Sequence, residues 1–231
     1  MMSNTFFSFR QFTVHQDRCA MKVGTDGVLL GAWARGGHRI LDIGCGTGVI
    51  ALMMAQRFAD AQVTAIDIDA DACGQARQNA DDSDMRSRIS IVHAPLQTFN
   101  DQPFDCIVAN PPFFPIGPAT SSAARDVARH IHSLTFAELM EGAARLLSPA
   151  GIFSAIIPSD AEETLLAEGF LHGLRICRKT YVKTTPHKPP KRVLIDLSTH
   201  VDSQLTETHV LLDADGNRSE WYRRLTANFY L

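Results

Sequence analysis

The chain has 231 residues, with 22 Lys+Arg against 25 Asp+Glu, a formal net charge of −3 and 45% hydrophobic residues. This composition excludes a disordered chain and argues against broad, non-specific affinity for nucleic acid, and the length suits one domain with a sizeable core. No apolar run reaches the roughly 18 residues of a membrane span, the first residues lack a signal peptide's pattern, and the five cysteines show no zinc spacing, so a cytoplasmic protein with reduced thiols, no metal and no membrane partner is expected.

Residues 1–38 form an N-terminal segment ahead of the first strand, turning helical and apolar from Val28, and residues 39–231 read as a single domain. Arg39–Ile43 is a strand that ends in a glycine loop, and Val49–Arg57 is a helix. Gln62–Asp67 alternates as a second strand, followed by a polar, Ala-rich helix over Ala70–Asp81. Ile89–His93 and Phe104–Ala109 are further strands. Thr135–Leu147 is the clearest helix, with Phe136, Leu139, Met140, Ala143, Ala144 and Leu147 on one face and a capping box between Thr135 and Glu138. Gly151–Ile157 is a strand and Glu162–Leu171 a helix. Ile176–Val182 and Val193–Leu197 close the pattern as a strand pair joined by a Pro-rich loop.

Strands alternating with helices predict an α/β fold, Rossmann-like, with a mostly parallel seven-stranded sheet, an antiparallel edge and helices on both faces. Ligands of such sheets bind beyond the carboxyl ends of the strands. The loop after the first strand reads Asp42-Ile43-Gly44-Cys45-Gly46-Thr47-Gly48. Glycines here permit tight turns and let a ligand approach the backbone. Asp67, at the end of the next strand, can accept hydrogen bonds from both hydroxyls of a ribose or simply cap its loop, and Asp69 and Asp71 read as caps of the following helix.

This arrangement resembles the class I S-adenosylmethionine-dependent methyltransferases. The resemblance implies S-adenosylmethionine as cofactor, with Gly44, Gly46 and Gly48 beside its amino-acid part, Asp42 near its ammonium and Asp67 on its ribose. That family often carries an acid against the adenine amine after the third strand, where this chain has His93-Ala94-Pro95-Leu96. Pro95 occupies the acid's place, and Leu96 remains to pack on the adenine.

The fourth strand runs into Asn110-Pro111-Pro112-Phe113. Two prolines stop a central strand and stiffen the chain. The tetrapeptide resembles the (N/D)PP(Y/F) motif of methyltransferases that act on planar amines and amides. Such a nitrogen is a poor nucleophile because its lone pair is delocalised. Acceptors aimed at its N–H bonds stabilise the charge that develops. By resemblance these are the Asn110 side chain and the Pro111 carbonyl, with Pro112 stiffening the turn and Phe113 stacking on the base.

The segment Lys22-Val23-Gly24-Thr25-Asp26-Gly27-Val28-Leu29-Leu30-Gly31-Ala32-Trp33 closely resembles the bacterial tRNA1(Val) (adenine-37-N6)-methyltransferase family. The likeness extends over nearly the whole chain, through Ala128-Arg129-His130 to the terminal Tyr222 and Phe229-Tyr230-Leu231. It implies N6-methylation of an anticodon-loop adenine, a tRNA partner and contacts from Lys22, Thr25 and Asp26 to the cofactor. Thr25 and Asp26 read equally as helix caps. Methylation of ribosomal guanine or protein glutamine is the alternative, since both share the tetrapeptide. A monomer is expected.

Residues 171–195 hold no acid and seven basic residues, including Lys183, Lys188, Lys191 and Arg192. Their loop is a candidate RNA contact, or a charged edge that guards the final strands. Arg125 and Arg129, in the long polar loop after the tetrapeptide, are further candidates.

Overall fold

A computed structural model describes residues 5–19, 21–111 and 134–230. Ten strands are present: β1 (Phe6–Ser8), β2 (Thr13–His15), β3 (Arg39–Ile43), β4 (Gln62–Asp67), β5 (Ile89–His93), β6 (Phe104–Ala109), β7 (Leu147–Pro158), β8 (Arg175–Lys183), β9 (Pro190–Ser198) and β10 (Leu205–Val210). β1 and β2 form a small hairpin, and the other eight make one sheet in the order β10-β8-β9-β7-β6-β3-β4-β5. The helices are α1 (Thr25–Trp33), α2 (Val49–Arg57), α3 (Ala70–Asp81), α4 (Phe136–Leu146), α5 (Glu162–Leu171) and α6 (Glu220–Thr226).

The Rossmann-like α/β architecture is the expected one, with two corrections. The sheet has eight strands rather than seven, because β10 adds to β8 in parallel. Its sequence, Leu-Thr-Glu-Thr-His-Val, carries no apolar stripe and is largely exposed, so only its pairing identifies it. The antiparallel strand is also not at the edge. β9 runs antiparallel to both β7 and β8 and lies between them. Its Val193, Leu194, Ile195 and Leu197 are buried on both faces, as an interior strand demands.

Alternate residues along the strands feed two cores. Ile40, Val63, Ala65, Cys106 and Val108 face α1, α2 and α3, whereas Leu41, Ile43, Ile66, Ile107 and Ala109 face α4 and α5. α1 is fixed on the first face by buried polar contacts. Trp33 Nε1 donates to Thr180 Oγ1 at 3.1 Å, Arg178 lies 3.6 Å from the Trp33 ring centroid, and Arg178 Nε reaches the fully buried Asp196 at 2.9 Å. Arg57 Nη1 caps the end of α1 through the carbonyls of Gly31 and Ala34. The terminal Phe229 and Tyr230 pack with Phe7, Phe9 and Phe12, so this part of the family likeness is a packing feature that closes the N-terminal hairpin on the domain.

β6, β3, β4 and β5 are parallel and end at one edge of the sheet. The chain order reverses between β3 and β6, which opens a crevice there.

Candidate active site

The loop after β3 forms the floor of that crevice. Gly44, Gly46 and Gly48 have φ of 70°, 54° and 79°, a region costly for residues with a Cβ. A Cβ at Gly44 or Gly46 would have no atom within 4 Å, so both face open space. The N–H groups of Gly44 and Cys45 donate to the Ile66 carbonyl, and the N–H of Gly46 donates to Asp67 Oδ2 at 2.8 Å. The other Asp67 oxygen accepts the N–H of Asp69 at 2.9 Å. Each oxygen keeps a lone pair for a ligand hydroxyl. Asp69 caps α3 through the N–H groups of Asp71 and Ala72, as its sequence position suggests.

Asp42 lies behind the loop. Gly48 offers α2 no capping side chain, and Asp42 Oδ2 instead accepts the Ala51 N–H at 3.1 Å in the helix's first turn. Asp42 Oδ1 is buried without a partner among the described residues. Burial, aided by the charge of Asp67, pushes the Asp42 carboxyl up to about 7.

A cavity of about 330 Å³ lies over these groups. Gly44, Gly46, Asp67, Leu96, Asn110 and Pro111 line it. Its size falls in the usual range for small-molecule sites. Asn110 and Pro111 follow directly on β6, whose Ile107, Val108 and Ala109 are buried between β3 and β7, so the start of the tetrapeptide is held on a rigid strand. Pro112, Phe113, Arg125 and Arg129 lie outside the described residues.

The wall beyond β5 is Ala94-Pro95-Leu96-Gln97. α4 clamps it. A Cβ at Gly142 would lie 2.6 Å from Leu96, so the helix backbone rests on that side chain. Arg145 donates to the carbonyls of Leu96 and Phe99, each at 2.8 Å.

Cys19 and Met21 bring the N-terminal segment to the cavity rim. α3 holds that segment. Asn79 Nδ2 donates to the carbonyls of His15 and Thr47, its Oδ1 accepts the His15 N–H, and Gln75 Oε1 accepts the Arg18 N–H. Asn79 and Gln75 are fully buried and join the segment to the glycine loop. Nothing in the pattern of α3 separates them from surface polar residues, so the sequence reading passes over them. Ile68, Gln97 and Glu138 also line the cavity, and the sequence reading assigns none of them to a site. Glu138 is hidden by its evident capping role.

The structure separates Thr25 and Asp26 from this cavity. They line a second one of about 190 Å³ with Lys191 and Arg192, and Arg192 Nε donates to Asp26 Oδ2 at 2.8 Å. Thr25 begins α1, whose cap is Gly24. Lys22 is exposed and, like Gly48 and Asp42, does not line the larger cavity.

Of the basic residues, Arg178 is engaged with Asp196, Lys179 with Glu162 at 2.8 Å, and Lys183 Nζ with the Pro186 carbonyl. Lys188 and Lys191 are exposed. Because Arg192 pairs with Pro158 at the end of β7, the β8–β9 turn lies at the same sheet edge as Asn110.

Residues 23–180 match the methyltransferase small domain family. A Phocaeicola vulgatus protein named tRNA1(Val) (adenine(37)-N6)-methyltransferase is 46% identical, over 100% of this chain and 99% of its own. An Aeromonas hydrophila protein of the same name is 41% identical, again over 100% and 99%. Among solved structures, a predicted O-methyltransferase from Agrobacterium tumefaciens superposes with a TM-score of 0.71 over 88% of this chain and 96% of its own, at 18% identity. A glycopeptide N-methyltransferase complexed with S-adenosyl-L-methionine superposes at 0.57, covering 78% of this chain and all of its own, at 13% identity. These two likenesses concern the fold.

Proposed function

This chain belongs to the tRNA1(Val) (adenine(37)-N6)-methyltransferase family, and from that membership we propose that it transfers a methyl group from S-adenosylmethionine to N6 of adenine 37 in valine tRNA. The observation that carries this reading is identity of 46% along the full length of both chains, joined to a cavity that ends on Asn110 and Pro111.

The residues present fit the cofactor. Gly44 and Gly46 leave room where a Cβ would stand and Asp67 keeps two acceptor sites for ribose hydroxyls, while Asp42 puts a carboxyl directly behind the loop. When bound, S-adenosylmethionine supplies an activated methyl group on a sulfonium. The chain's own contribution is to position and polarise. Asn110 and the Pro111 carbonyl accept the two N–H bonds of the target amine, draw its lone pair out of conjugation and stabilise positive charge on nitrogen. No covalent intermediate on the protein is required. Phe113 stacks on the target base, which leaves its own stack to reach the site.

The exposed Lys188 and Lys191 meet tRNA phosphates, with Lys183 and Arg192 shaping the turn that presents them, and Arg125 and Arg129 add basic charge from the stretch of sequence after the tetrapeptide. The protein works as a cytoplasmic monomer. Among the described residues no helix is long and apolar enough to cross a membrane, and no group of three His, Cys, Asp or Glu is placed to hold a metal. The test is transfer of labelled methyl from the cofactor to total tRNA, ribosomes or protein extract. The reading requires label in tRNA as N6-methyladenosine, and label only in ribosomes or protein overturns it.

A further inference from the structure

The cavity extends along the strand ends in the order β6, β3, β4, β5. Asn110 marks one end, Gly44 and Asp67 the middle, and Ala94-Pro95-Leu96-Gln97 the other. A nucleoside whose ribose meets Asp67 and whose other arm reaches Asn110 places its base at the β5 end. That wall suits a flat ring in shape. Pro95 carries no N–H, and Ala94 and Leu96 offer only apolar side chains. An adenine there presents an amine with two N–H bonds, which need an acceptor when removed from water.

Of the three carboxylates lining the cavity among the described residues, Asp67 and Asp69 belong to β4 and the start of α3. The third is Glu138, on α4, beside Gln97. Its position is fixed from both sides. Gln97 Nε2 donates to Glu138 Oε1 at 2.9 Å, while the N–H and hydroxyl of Thr135 donate to Oε2 at 2.9 and 2.8 Å. Oε2 is thereby satisfied and Oε1 keeps one acceptor site. These donors, the Thr135 N–H foremost, hold the Glu138 carboxyl below its ordinary range, so it is ionised at neutral pH. The same helix grips the wall through Gly142 and Arg145, which fixes the distance between carboxylate and base platform.

We propose that Glu138 reads the exocyclic amine of the cofactor's adenine through Oε1, with Gln97 as its positioning residue. An acid on α4 thus serves the loop in which Pro95 stands. This rests on the methyltransferase reading above.

The test is calorimetric binding, without tRNA, of S-adenosylhomocysteine and of the analogue with hypoxanthine in place of adenine. Hypoxanthine presents a carbonyl where adenine presents the amine, which sets it against the carboxylate. The full chain should favour the adenine form at least roughly tenfold. Glu138→Gln keeps a capping-box residue, and its amide can donate to the hypoxanthine carbonyl, so the ratio should fall towards one. Glu138→Ala should lose the discrimination without gaining the donor. Melting curves of both variants report the cap separately. An unchanged ratio in either folded variant overturns the proposal. Failure of the unmodified chain to bind S-adenosylhomocysteine at all would instead overturn the methyltransferase reading.

Discussion

Asp67 and Gly46 are joined by a 2.8 Å hydrogen bond, so the carboxylate at the end of β4 and the glycine loop after β3 move as one unit. The group proposed to meet the ribose thus also anchors the loop. Hydrogen bonds to charged groups contribute roughly 1.5–3 kcal/mol each. Asp67→Ala removes the loop anchor and the ribose acceptor together and should weaken S-adenosylhomocysteine binding by roughly 100-fold in calorimetry. Asp67→Asn, which retains one acceptor, should weaken it less. Equal binding by all three proteins would show that the carboxylate faces no ligand.

The buried Asp42 gives the site a pH dependence. Its carboxyl is raised from an ordinary 3.8 to about 7, so between those values the folded protein holds a proton that the unfolded chain has released. Its contribution to stability therefore falls as pH rises from about 3.8 and is lost by about pH 7. A cofactor ammonium on the far side of the glycine loop would favour the ionised form through its field. Cofactor affinity should therefore rise roughly tenfold from about pH 6 to about pH 8, with proton release on binding. Asp42→Asn should flatten this profile. A flat profile in the unmodified protein would separate Asp42 from the ammonium.

Asp26 and Arg192 join α1 to β9, and each side chain is about a quarter exposed, at 28% and 25%. A pair of this exposure contributes about 1 kcal/mol or less. Asp26→Ala should lower the melting temperature slightly, with a double-mutant coupling to Arg192 of that size. It should leave S-adenosylhomocysteine affinity unchanged within about twofold. A tenfold loss would return Asp26 to the cofactor site.

Most of the fold was legible because the strands carry short apolar runs or an apolar alternation bounded by turn residues. Arg39–Ile43, Gln62–Asp67, Ile89–His93 and Phe104–Ala109 have the predicted limits. β10 escaped because an exposed edge strand needs no apolar residue, and the place of β9 escaped because its pattern records burial and not its neighbour. The cavity was legible at the strand ends, where Gly44, Gly46, Asp67 and Asn110 line it. It was illegible where distant segments converge. The spacing of Thr25 and Asp26 from the glycine loop says nothing of Arg192, which lies 166 residues from Asp26. Gln75, Asn79, Gln97 and Glu138 act through partners remote in sequence, and their helix and loop settings already account for polar residues.

The turn between β8 and β9 should govern tRNA affinity without touching cofactor binding. Lys188→Ala with Lys191→Ala should raise the KM for tRNA several-fold and make the salt dependence shallower, by about one unit of log–log slope for each phosphate no longer neutralised. The Kd for S-adenosylhomocysteine should stay constant. An unchanged KM and salt slope would leave these lysines as a solvated sheet edge.

Asn110, at the end of the cavity, is the proposed acceptor of an N–H from the target amine. The direct measurement is N6-methyladenosine at position 37 of unmodified valine tRNA, made by the unaltered protein and by Asn110→Ala and quantified by nucleoside mass spectrometry beside calorimetric binding of S-adenosylhomocysteine. The variant should bind S-adenosylhomocysteine within a few-fold of the unaltered protein and lose methyl transfer by roughly 100-fold or more. Transfer at the unaltered rate by Asn110→Ala would contradict this role.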